Sequence, residues 1–333
     1  MKLIQFLDNQ NSRRVGIVSS DRQTITALTA TASVHELALA AFRANSKLAD
    51  FVAARMSDEK FDYEKLLAAK RVLPPLDHPD PAHCLVTGTG LTHLGSAQSR
   101  DAMHVKLNAD PENLSDSMKM FKLGLDGGKP AVGAIGIAPE WFYKGDGSCI
   151  VAPEHPIELP AYAEDGGEES EVVGLYVIGD HGEPLRVGFA LGNEYSDHKL
   201  ERQNYLYLAH SKLRQCSFGP ELFIGALPDH IEGHARITRN GETVWSSDWL
   251  SGEANMSHTI ANLEHHHFKY ANFRRPGDVH VHYYGAAVLS CLSGFAAQDG
   301  DVFEISSDVF GRALRSPLQV SATENSLITV KAL

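Results

Sequence analysis

Residues 168–197 read EESEVVGLYVIGDHGEPLRVGFALGNEYSD, and the rest of the chain is interpreted around this stretch. The unbroken apolar run at positions 172–178 is typical of a buried strand. The sequence GDHG at 179–182 has turn chemistry, and a second strand is predicted at 184–191. We expect the two strands to pair as an antiparallel hairpin.

Three carboxylates flank this hairpin. Glu169 and Glu171 lie two residues apart at the start of the first strand, so their side chains are expected on one face. Antiparallel pairing brings Glu194, which follows the second strand, towards them. Converging carboxylates repel one another unless a cation lies between them, and all-oxygen ligands suit Mg²⁺, Mn²⁺ or Ca²⁺ better than zinc. The alternative is a solvated turn, because residues 164–169 are rich in acids.

The composition of the 333-residue chain excludes several classes of function. Its formal net charge of -12 argues against nucleic acid as a partner, because phosphate binding needs a basic surface. No apolar run reaches the length of about 18 residues that a membrane span requires. The four cysteines are scattered without a CxxC pair, and the N-terminus lacks an apolar signal core. These features predict a reduced, cytoplasmic protein without disulfides.

A proline-rich segment divides the chain. The sequence VLPPLDHPDPAHC at 72–84 contains four prolines and is the best candidate linker. We predict a small α/β N-terminal domain at 1–75 and a larger, mostly β domain at 80–333, which together place the protein in the α+β class. The N-terminal part is expected to hold short strands, then a helical segment at 34–56 and a helical or partly helical one at 57–69.

The larger part shows further local signals. Residues 234–249 predict a hairpin with Asn240-Gly241 at its tip. Helical patterns cover 197–213 and 255–273, and the polar stretch 96–117 is predicted to be a mobile lid. Regular alternation of strands and helices is absent, which argues against a parallel sheet.

Other candidate motifs are weaker. The histidines at 265–267 and at 280 and 282 suggest zinc, but consecutive helical histidines point in different directions and no third ligand has useful spacing. Histidines in the core fit this pattern better. The GTG sequence at 88–90 lacks the third glycine of a dinucleotide fingerprint, and no G-x-S-x-G motif supports a serine nucleophile. Lys144 follows three aromatic residues and either lies along them or binds a substrate carboxylate.

In combination, these elements resemble the fumarylacetoacetate hydrolase superfamily over residues 80 to 310, which implies a catalytic domain of the mixed β-roll type. The resemblance implies metal binding by Glu169, Glu171 and Glu194, with Glu194 in place of the usual Asp. It is carried by further motif residues, namely His93 after a glycine-rich strand end, Lys144 in Phe-x-Lys, Lys212 before Ser-Phe-Gly-Pro, the turn Asn240-Gly241-Glu242, and Gly285-Ala286 after Pro276-Gly277-Asp278.

Three further positions depart from the family pattern. Hydrolases and decarboxylases of the superfamily often carry a glutamate where this chain has Ser96. That glutamate and the histidine form the acid-base dyad that orients water, and the serine removes this dyad. His198 stands where an arginine is usual, and Ala286 replaces a threonine hydroxyl. The remaining pattern is similar to the sugar-acid branch of the superfamily.

The resemblance implies a metal-dependent dehydratase. The expected substrate is a 2-keto-3-deoxy-pentonate, of the L-arabinonate type first and the D-xylonate type second, and the product is 2,5-dioxopentanoate. Lys144 is expected to be the base or a carboxylate partner, and His93 the acid. Lys212, Gly285 and Ala286 are expected to bind the substrate. The family also implies a homodimer.

Two alternatives remain open at this point. A C–C hydrolase of a 2,4-diketo-3-deoxy sugar acid or of an acylpyruvate would use the same metal enolate but would need an ordered water. A non-catalytic sugar-acid binding protein would need no acid-base pair, and the presence of His93 and Lys144 counts against it.

Overall fold

The computed structural model describes residues 1–95 and 114–333. The strands in these ranges are β1 (Lys2–Leu7), β2 (Arg13–Val18), β3 (Thr24–Leu28), β4 (Met56–Asp62), β5 (Val72–Leu73), β6 (Cys84–Gly90), β7 (Glu140–Asp146), β8 (Ile150–Val151), β9 (Ile157–Leu159), β10 (Ser170–Ile178), β11 (Pro184–Asn193), β12 (Cys216–Phe223), β13 (Ile231–Arg239), β14 (Glu242–Ser251), β15 (Val279–Tyr283), β16 (Val302–Ser306) and β17 (Leu314–Val320). The helices are α1 (Val34–Arg43), α2 (Leu48–Ala53), α3 (Tyr63–Ala68), α4 (Asp116–Gly127), α5 (His198–Gln203), α6 (Leu208–Ser211) and α7 (Ile260–Phe268).

The predicted hairpin is confirmed and forms the middle of the larger sheet. Strand β10 pairs with β11 on one side and with β15 on the other, both antiparallel. Every residue of β10 is buried. Val173 packs in a core with helix α1, whereas Val172 packs in a second core with β14 and helix α7. Burial on both faces explains why the sequence of this strand is an apolar run and does not alternate.

Two sheets build the protein, in agreement with the predicted α+β class. The larger has twelve strands in the order β4-β3-β2-β1-β12-β11-β10-β15-β6-β7, with β5 beside β1 and β8 beside β12. The smaller has five strands in the order β14-β13-β16-β17-β9. Because β1 pairs with β12, the N-terminal strands extend the same sheet as the central hairpin across the predicted linker. The proposed division at 1–75 and 80–333 stays a prediction.

The sheet order gathers several strand ends at one place. Strand β10 starts where its antiparallel neighbours β11 and β15 end. Strand β6 runs parallel to β15 and so ends at the same edge, where its antiparallel neighbour β7 starts. Residues that precede or follow these five ends in sequence therefore lie close together in space.

The structure confirms some of the predicted local elements and corrects others. The second hairpin is confirmed as β13 and β14, with Asn240 and Gly241 both at positive φ in its tip. The segment 57–69, predicted to be helical or partly helical, is helical only at Tyr63–Ala68, because Met56–Asp62 pairs with β3 at the edge of the sheet and Phe61 packs on the ring of Phe6. The helix predicted at 197–213 is broken into α5, a 3₁₀ turn and α6.

Several expectations fall at or beyond the limits of the described residues. Ser96 and most of the predicted lid at 96–117 lie outside them. Within the described ranges, no helix is both long enough and apolar enough to cross a membrane. The four cysteines are free thiols, as the sequence predicts.

Candidate metal and active site

The structure brings the three predicted ligands together at the edge where the strand ends meet. Glu169 precedes β10, Glu171 lies within it and Glu194 follows β11. The N–H of Glu194 donates to the carbonyl of Glu169 at 3.1 Å, which fixes the two ends of the hairpin. One carboxylate oxygen from each of the three residues lies within 4.8 Å of the others.

Burial decides between the metal site and the solvated acidic turn. The exposed fractions of Glu169, Glu171 and Glu194 are 7%, 1% and 0%. The preceding acid, Glu168, is also buried and accepts hydrogen bonds from the backbone and hydroxyl of Ser290. Buried carboxylates at this spacing are costly unless positive charge compensates them. Glu168 and Glu169 are therefore not part of a solvated surface, whereas Glu164 in the same run is exposed.

The donor set fits a hard divalent cation. Oε2 of Glu171 accepts the N–H of Gly285 at 2.7 Å, but Oε1 is buried and has no hydrogen-bond partner among the described residues. An unpaired buried carboxylate oxygen that faces two further carboxylates is the arrangement that Mg²⁺, Mn²⁺ or Ca²⁺ satisfies. Gly285 therefore contacts a ligand of the predicted site, and the neighbouring Ala286 is partly exposed.

Two buried lysines supply positive charge to the same carboxylates. Lys144 Nζ donates to Glu194 Oε1 at 2.5 Å and to the carbonyls of Tyr195 and Lys212 at 2.7 and 3.1 Å. Lys212 Nζ donates to Glu194 Oε2 at 2.6 Å and to Oε1 of Glu169. Both lysines are almost fully buried. Each predicted site lysine therefore makes its contact with a predicted ligand carboxylate away from solvent.

The pKa values of the three acids are shifted in different directions by their surroundings. Burial raises the pKa of Glu171 well above its usual range, and the charges of Glu169 and Glu194 act in the same direction. Burial also raises the pKa of Glu194, against the charges of Lys144 and Lys212. For Glu169 the effect of burial is overcome by Lys212 and His198, which hold its pKa well below the usual range.

His93 lies on the segment that follows β6. Its Nδ1 is 3.1 Å from the hydroxyl of Thr92, and its Nε2 is 2.9 Å from the hydroxyl of Ser251. Thr92 in turn donates to the carbonyl of Tyr284, which immediately precedes Gly285. Burial lowers the pKa of His93 to about 4. Among the described residues, both ring nitrogens of His93 therefore contact hydroxyl groups and no carboxylate.

The sequence interpretation missed Glu140. This residue starts β7 at the same edge of the sheet, and its Oε2 accepts the hydroxyl of Tyr205 at 2.8 Å. Burial raises the pKa of Glu140, while the Tyr205 hydrogen bond and the charge of Lys212 lower it. A side chain on Gly90 would place its Cβ 1.8 Å from Glu140 Oε1, so this glycine leaves room for the carboxylate. The available signal was a lone acid at the start of an aromatic strand, four residues before Lys144.

Four of the histidines that suggested zinc, at 266, 267, 280 and 282, are buried, whereas His265 is exposed. His267 Nε2 lies 2.9 Å from His280 Nδ1, and its ring stacks on His282 with centroids 4.4 Å apart. His282 Nδ1 contacts the hydroxyl of Thr87 at 2.8 Å. Among the described residues, the three glutamates are the only group of three or more ligand-type side chains with metal-site spacing. The preference for core histidines over zinc agrees with this arrangement.

Comparisons with known proteins support this description at the level of fold. A scan of protein-family models and a search of curated proteins gave no match. Among solved structures, 2-keto-3-deoxy-D-arabinonate dehydratase in its apo form is 19% identical with a TM-score of 0.70, over 97% of this chain and 100% of that one. The same enzyme complexed with magnesium and 2,5-dioxopentanoate is 20% identical with a TM-score of 0.71, over the same shares of both chains.

A second group of similar structures consists of isomerases. The 5-carboxymethyl-2-hydroxymuconate delta-isomerase from Mycobacterium smegmatis is 17% identical with a TM-score of 0.58, over 96% of this chain and 100% of that one. The TM-scores establish a shared fold over nearly the whole chain, and identities this low show nothing beyond the fold. The protein therefore has the fold that its sequence resemblance to the fumarylacetoacetate hydrolase superfamily predicts, the fold of these dehydratase and isomerase structures.

Proposed function

We propose that the protein is a metal-dependent dehydratase that converts a 2-keto-3-deoxy-pentonate to 2,5-dioxopentanoate. The observation that carries the proposal is the buried triad of Glu169, Glu171 and Glu194, with an oxygen of Glu171 left unpaired. The likeness to a dehydratase complexed with magnesium and 2,5-dioxopentanoate supports the reaction type. The TM-score of 0.71 to that structure exceeds the 0.58 to the isomerase.

A 2-keto-3-deoxy-pentonate exists as only two stereoisomers. Loss of the C2 and C3 stereocentres leaves C4 as the single stereocentre of a 2-keto-3-deoxy-pentonate. The D-arabinonate and D-xylonate types are therefore one compound, and the L-arabinonate type is its mirror image. The sequence resemblance favours the L form, whereas the similar solved dehydratase is named for the D form. The product has no stereocentre, so it is the same from either enantiomer.

Glu169, Glu171 and Glu194 would hold the ion, with Mg²⁺ as the first choice and Mn²⁺ or Ca²⁺ as alternatives. When bound, a divalent ion supplies the positive charge that stabilises an enolate of a 2-keto acid. Lys144 Nζ donates to three protein acceptors, and a lysine has three donors, so none is left for a substrate. We therefore assign it to holding Glu194, which differs from both of its predicted roles, the base and the partner of a substrate carboxylate.

Glu140 is the better candidate for the base that removes the C3 proton. It lies at the same edge of the sheet, and burial raises its pKa towards the range in which a carboxylate accepts protons efficiently. The charge of Lys212 acts on Glu140, which places the carboxylate near the ligand cluster. Lys212 Nζ also donates to Glu169 and to Glu194, and we propose that its third N–H donates to a substrate oxygen.

His93 would assist departure of the C4 hydroxyl. Because burial lowers its pKa to about 4, its ring carries one proton near neutral pH and can donate one hydrogen bond. The C3 proton and the C4 hydroxyl leave together as water, and transfer of one proton from C5 to C3 then gives the C4=C5 enol. Transfer of the enol hydroxyl proton to C4 gives the C5 aldehyde. This sequence needs no activated water. The hydroxyl partners of His93 among the described residues suit elimination better than hydrolysis.

An isomerase of a keto diacid is the second candidate, because a delta-isomerase shares the fold. Double-bond migration also starts with removal of a proton next to a ketone, so the same carboxylates would serve. The C–C hydrolase and the non-catalytic binder are further alternatives that one assay can separate. We also propose a homodimer, from the family resemblance. The scattered cysteines favour a cytoplasmic location, and the negative net charge argues against nucleic acid as a partner.

The test is incubation with each C4 enantiomer of 2-keto-3-deoxy-pentonate and with the 4-keto analogue, in the presence and absence of Mg²⁺. The proposal expects Mg²⁺-dependent formation of 2,5-dioxopentanoate from at least one enantiomer. Release of pyruvate from the 4-keto analogue as the faster reaction would indicate the hydrolase. Saturable binding without turnover would indicate the binding protein, and double-bond migration in an unsaturated keto diacid would indicate the isomerase.

A further inference from the structure

We propose that His198 is a positioning residue that fixes the orientation of Glu169 for ion binding. This inference rests on the proposed metal-dependent function and adds to it a residue outside the ligand set. His198 Nε2 lies 3.1 Å from Glu169 Oε1, and the ring is 4% exposed. Nε2 of a histidine is a directional donor at the end of a rigid ring, so one contact sets both the position and the angle of the carboxylate.

The contact leaves one carboxylate oxygen available. Oε1 of Glu169 receives both His198 Nε2 and Lys212 Nζ, whereas no described residue donates to Oε2. Oε1 is thus occupied by protein donors, and Oε2 is the oxygen that can face an ion. Loss of the His198 contact would free the side chain of Glu169 to rotate about its own torsions, since Lys212 is shared with Glu194.

The surroundings hold the imidazole in place. Asp197, the preceding residue, caps α5 by accepting the N–H of Leu200 at 3.1 Å. The other oxygen of Asp197 pairs with Arg214 at 2.8 Å, and both side chains are buried. The start of α5 is therefore anchored to the segment that follows Lys212, and His198 cannot move without breaking a buried ion pair.

A glycine opposite the ring provides the necessary space. A Cβ on Gly167 would lie 2.9 Å from His198 Nδ1 and 3.0 Å from its Cε1, which is closer than real contacts allow. Gly167 exchanges two backbone hydrogen bonds of 3.0 Å with Ser196, so its distance from α5 is fixed. A glycine cradle, a capped helix and a buried ion pair together define one position for the ring.

His198 differs from the two lysines in the ligand that it contacts. Lys144 and Lys212 each pair with Glu194. His198 contacts Glu169 alone among the three proposed ligands. Partners that orient a metal ligand from outside the coordination shell typically contribute about 10- to 100-fold to metal affinity or activity.

The experiment measures Mn²⁺ and Mg²⁺ affinity by calorimetric titration, without substrate, for the full chain and for three variants. His198→Leu keeps the volume but removes the donor, and we expect its dissociation constant to rise about 10- to 100-fold. His198→Gln retains an N–H donor and should restore most of the affinity. His210→Leu changes an exposed histidine on α6 and serves as the matched control, with unchanged affinity.

The outcomes separate this inference from the proposed function. If the unmodified chain binds no divalent ion, both fail. If it binds an ion and dehydrates its substrate but His198→Leu binds the ion equally well, only the positioning role is overturned. If the leucine variant does not fold, His198→Asn replaces it, because asparagine is polar but too short to reach Glu169; unchanged affinity in that variant overturns the role in the same way.

Discussion

Lys212 Nζ lies between two acids of the triad, 2.6 Å from Oε2 of Glu194 and in contact with Oε1 of Glu169. The ammonium is buried and compensates carboxylates that would otherwise repel one another. Burial would lower the pKa of Lys212, but the two glutamates raise it well above the usual range, so the lysine is charged. It therefore has a structural role as well as a proposed role in binding the substrate.

Lys212→Met should destabilise the protein when no metal is present. Removal of one partner from a buried ion pair leaves uncompensated charge and typically costs about 3–5 kcal/mol of unfolding free energy. Mg²⁺ should recover part of this loss, because a divalent ion replaces the missing charge. Urea unfolding in EDTA and in Mg²⁺ measures both effects. Lys199→Met, at an exposed position, is the control, and equal stability of the two variants in EDTA would contradict this role.

Tyr205→Phe tests the assignment of Glu140 as the base. The hydroxyl of Tyr205 stabilises the carboxylate form, so its removal should raise the pKa of Glu140 further. A base must be deprotonated, and the acidic limb of the kcat profile should therefore move to higher pH. Tyr207→Phe is the control, because the Tyr207 ring packs on His210 at an exposed position. Superimposable pH profiles for Tyr205→Phe and the unmodified enzyme would exclude Glu140 as the titrating base.

Gly90→Ala should separate activity from stability. The added Cβ would lie 1.8 Å from Glu140 Oε1, at the far end of a flexible side chain that can swing away at little cost. We expect a melting temperature close to that of the unmodified protein, because Gly90 has no positive φ that alanine would strain. Displacement of a general base should lower kcat by about 100-fold or more. Thermal unfolding and steady-state kinetics test this, and unimpaired kcat would show that the position of Glu140 is not critical.

How far the sequence predicts this site depends on the distance between its parts along the chain. The triad follows from local rules, because Glu169 and Glu171 share a strand face and one hairpin returns Glu194 to them. Lys144 could be identified only through family resemblance, since its strand reaches the site through the β10, β15, β6 and β7 order. No local pattern reports such nonlocal pairing.

Glu140 could be identified neither from local rules nor from the family resemblance. Its neighbours in sequence are proline and aromatic residues, and nothing in that pattern distinguishes an acid at an active site from a solvated one. Its burial depends on Tyr205, which lies 65 residues away, and on the absence of a side chain at Gly90. The segment 57–69 is only partly helical for a related reason, because pairing with β3 overrides the helical preference of its first, polar half.

The buried histidine network should make stability sensitive to acid. Burial lowers the pKa of His282 to about 3 and that of His280 to about 4, both below the ordinary value near 6.5. Between these values the unfolded chain binds more protons, so the histidines lower stability as the pH falls from about 6.5 towards 4. Each pKa unit corresponds to about 1.4 kcal/mol.

His282→Gln isolates this contribution, because glutamine does not titrate and keeps a polar group near Thr87. The difference in unfolding free energy between the unmodified protein and His282→Gln should shift in favour of the variant as the pH falls. His265→Gln, at an exposed position, should show a much smaller shift. Urea denaturation at several pH values measures it, and a difference that does not change with pH would contradict the neutral, buried state of His282.

The most direct test of the central claim is the comparison of Glu171→Gln with the unmodified protein in metal affinity and in turnover. The amide resembles a protonated carboxyl, the form that burial favours for Glu171, so the fold should persist. We expect the unmodified chain to bind one divalent ion and form 2,5-dioxopentanoate, and Glu171→Gln to lose both, while Glu158→Gln at an exposed position loses neither. Normal turnover by Glu171→Gln after treatment with a chelator would contradict the account.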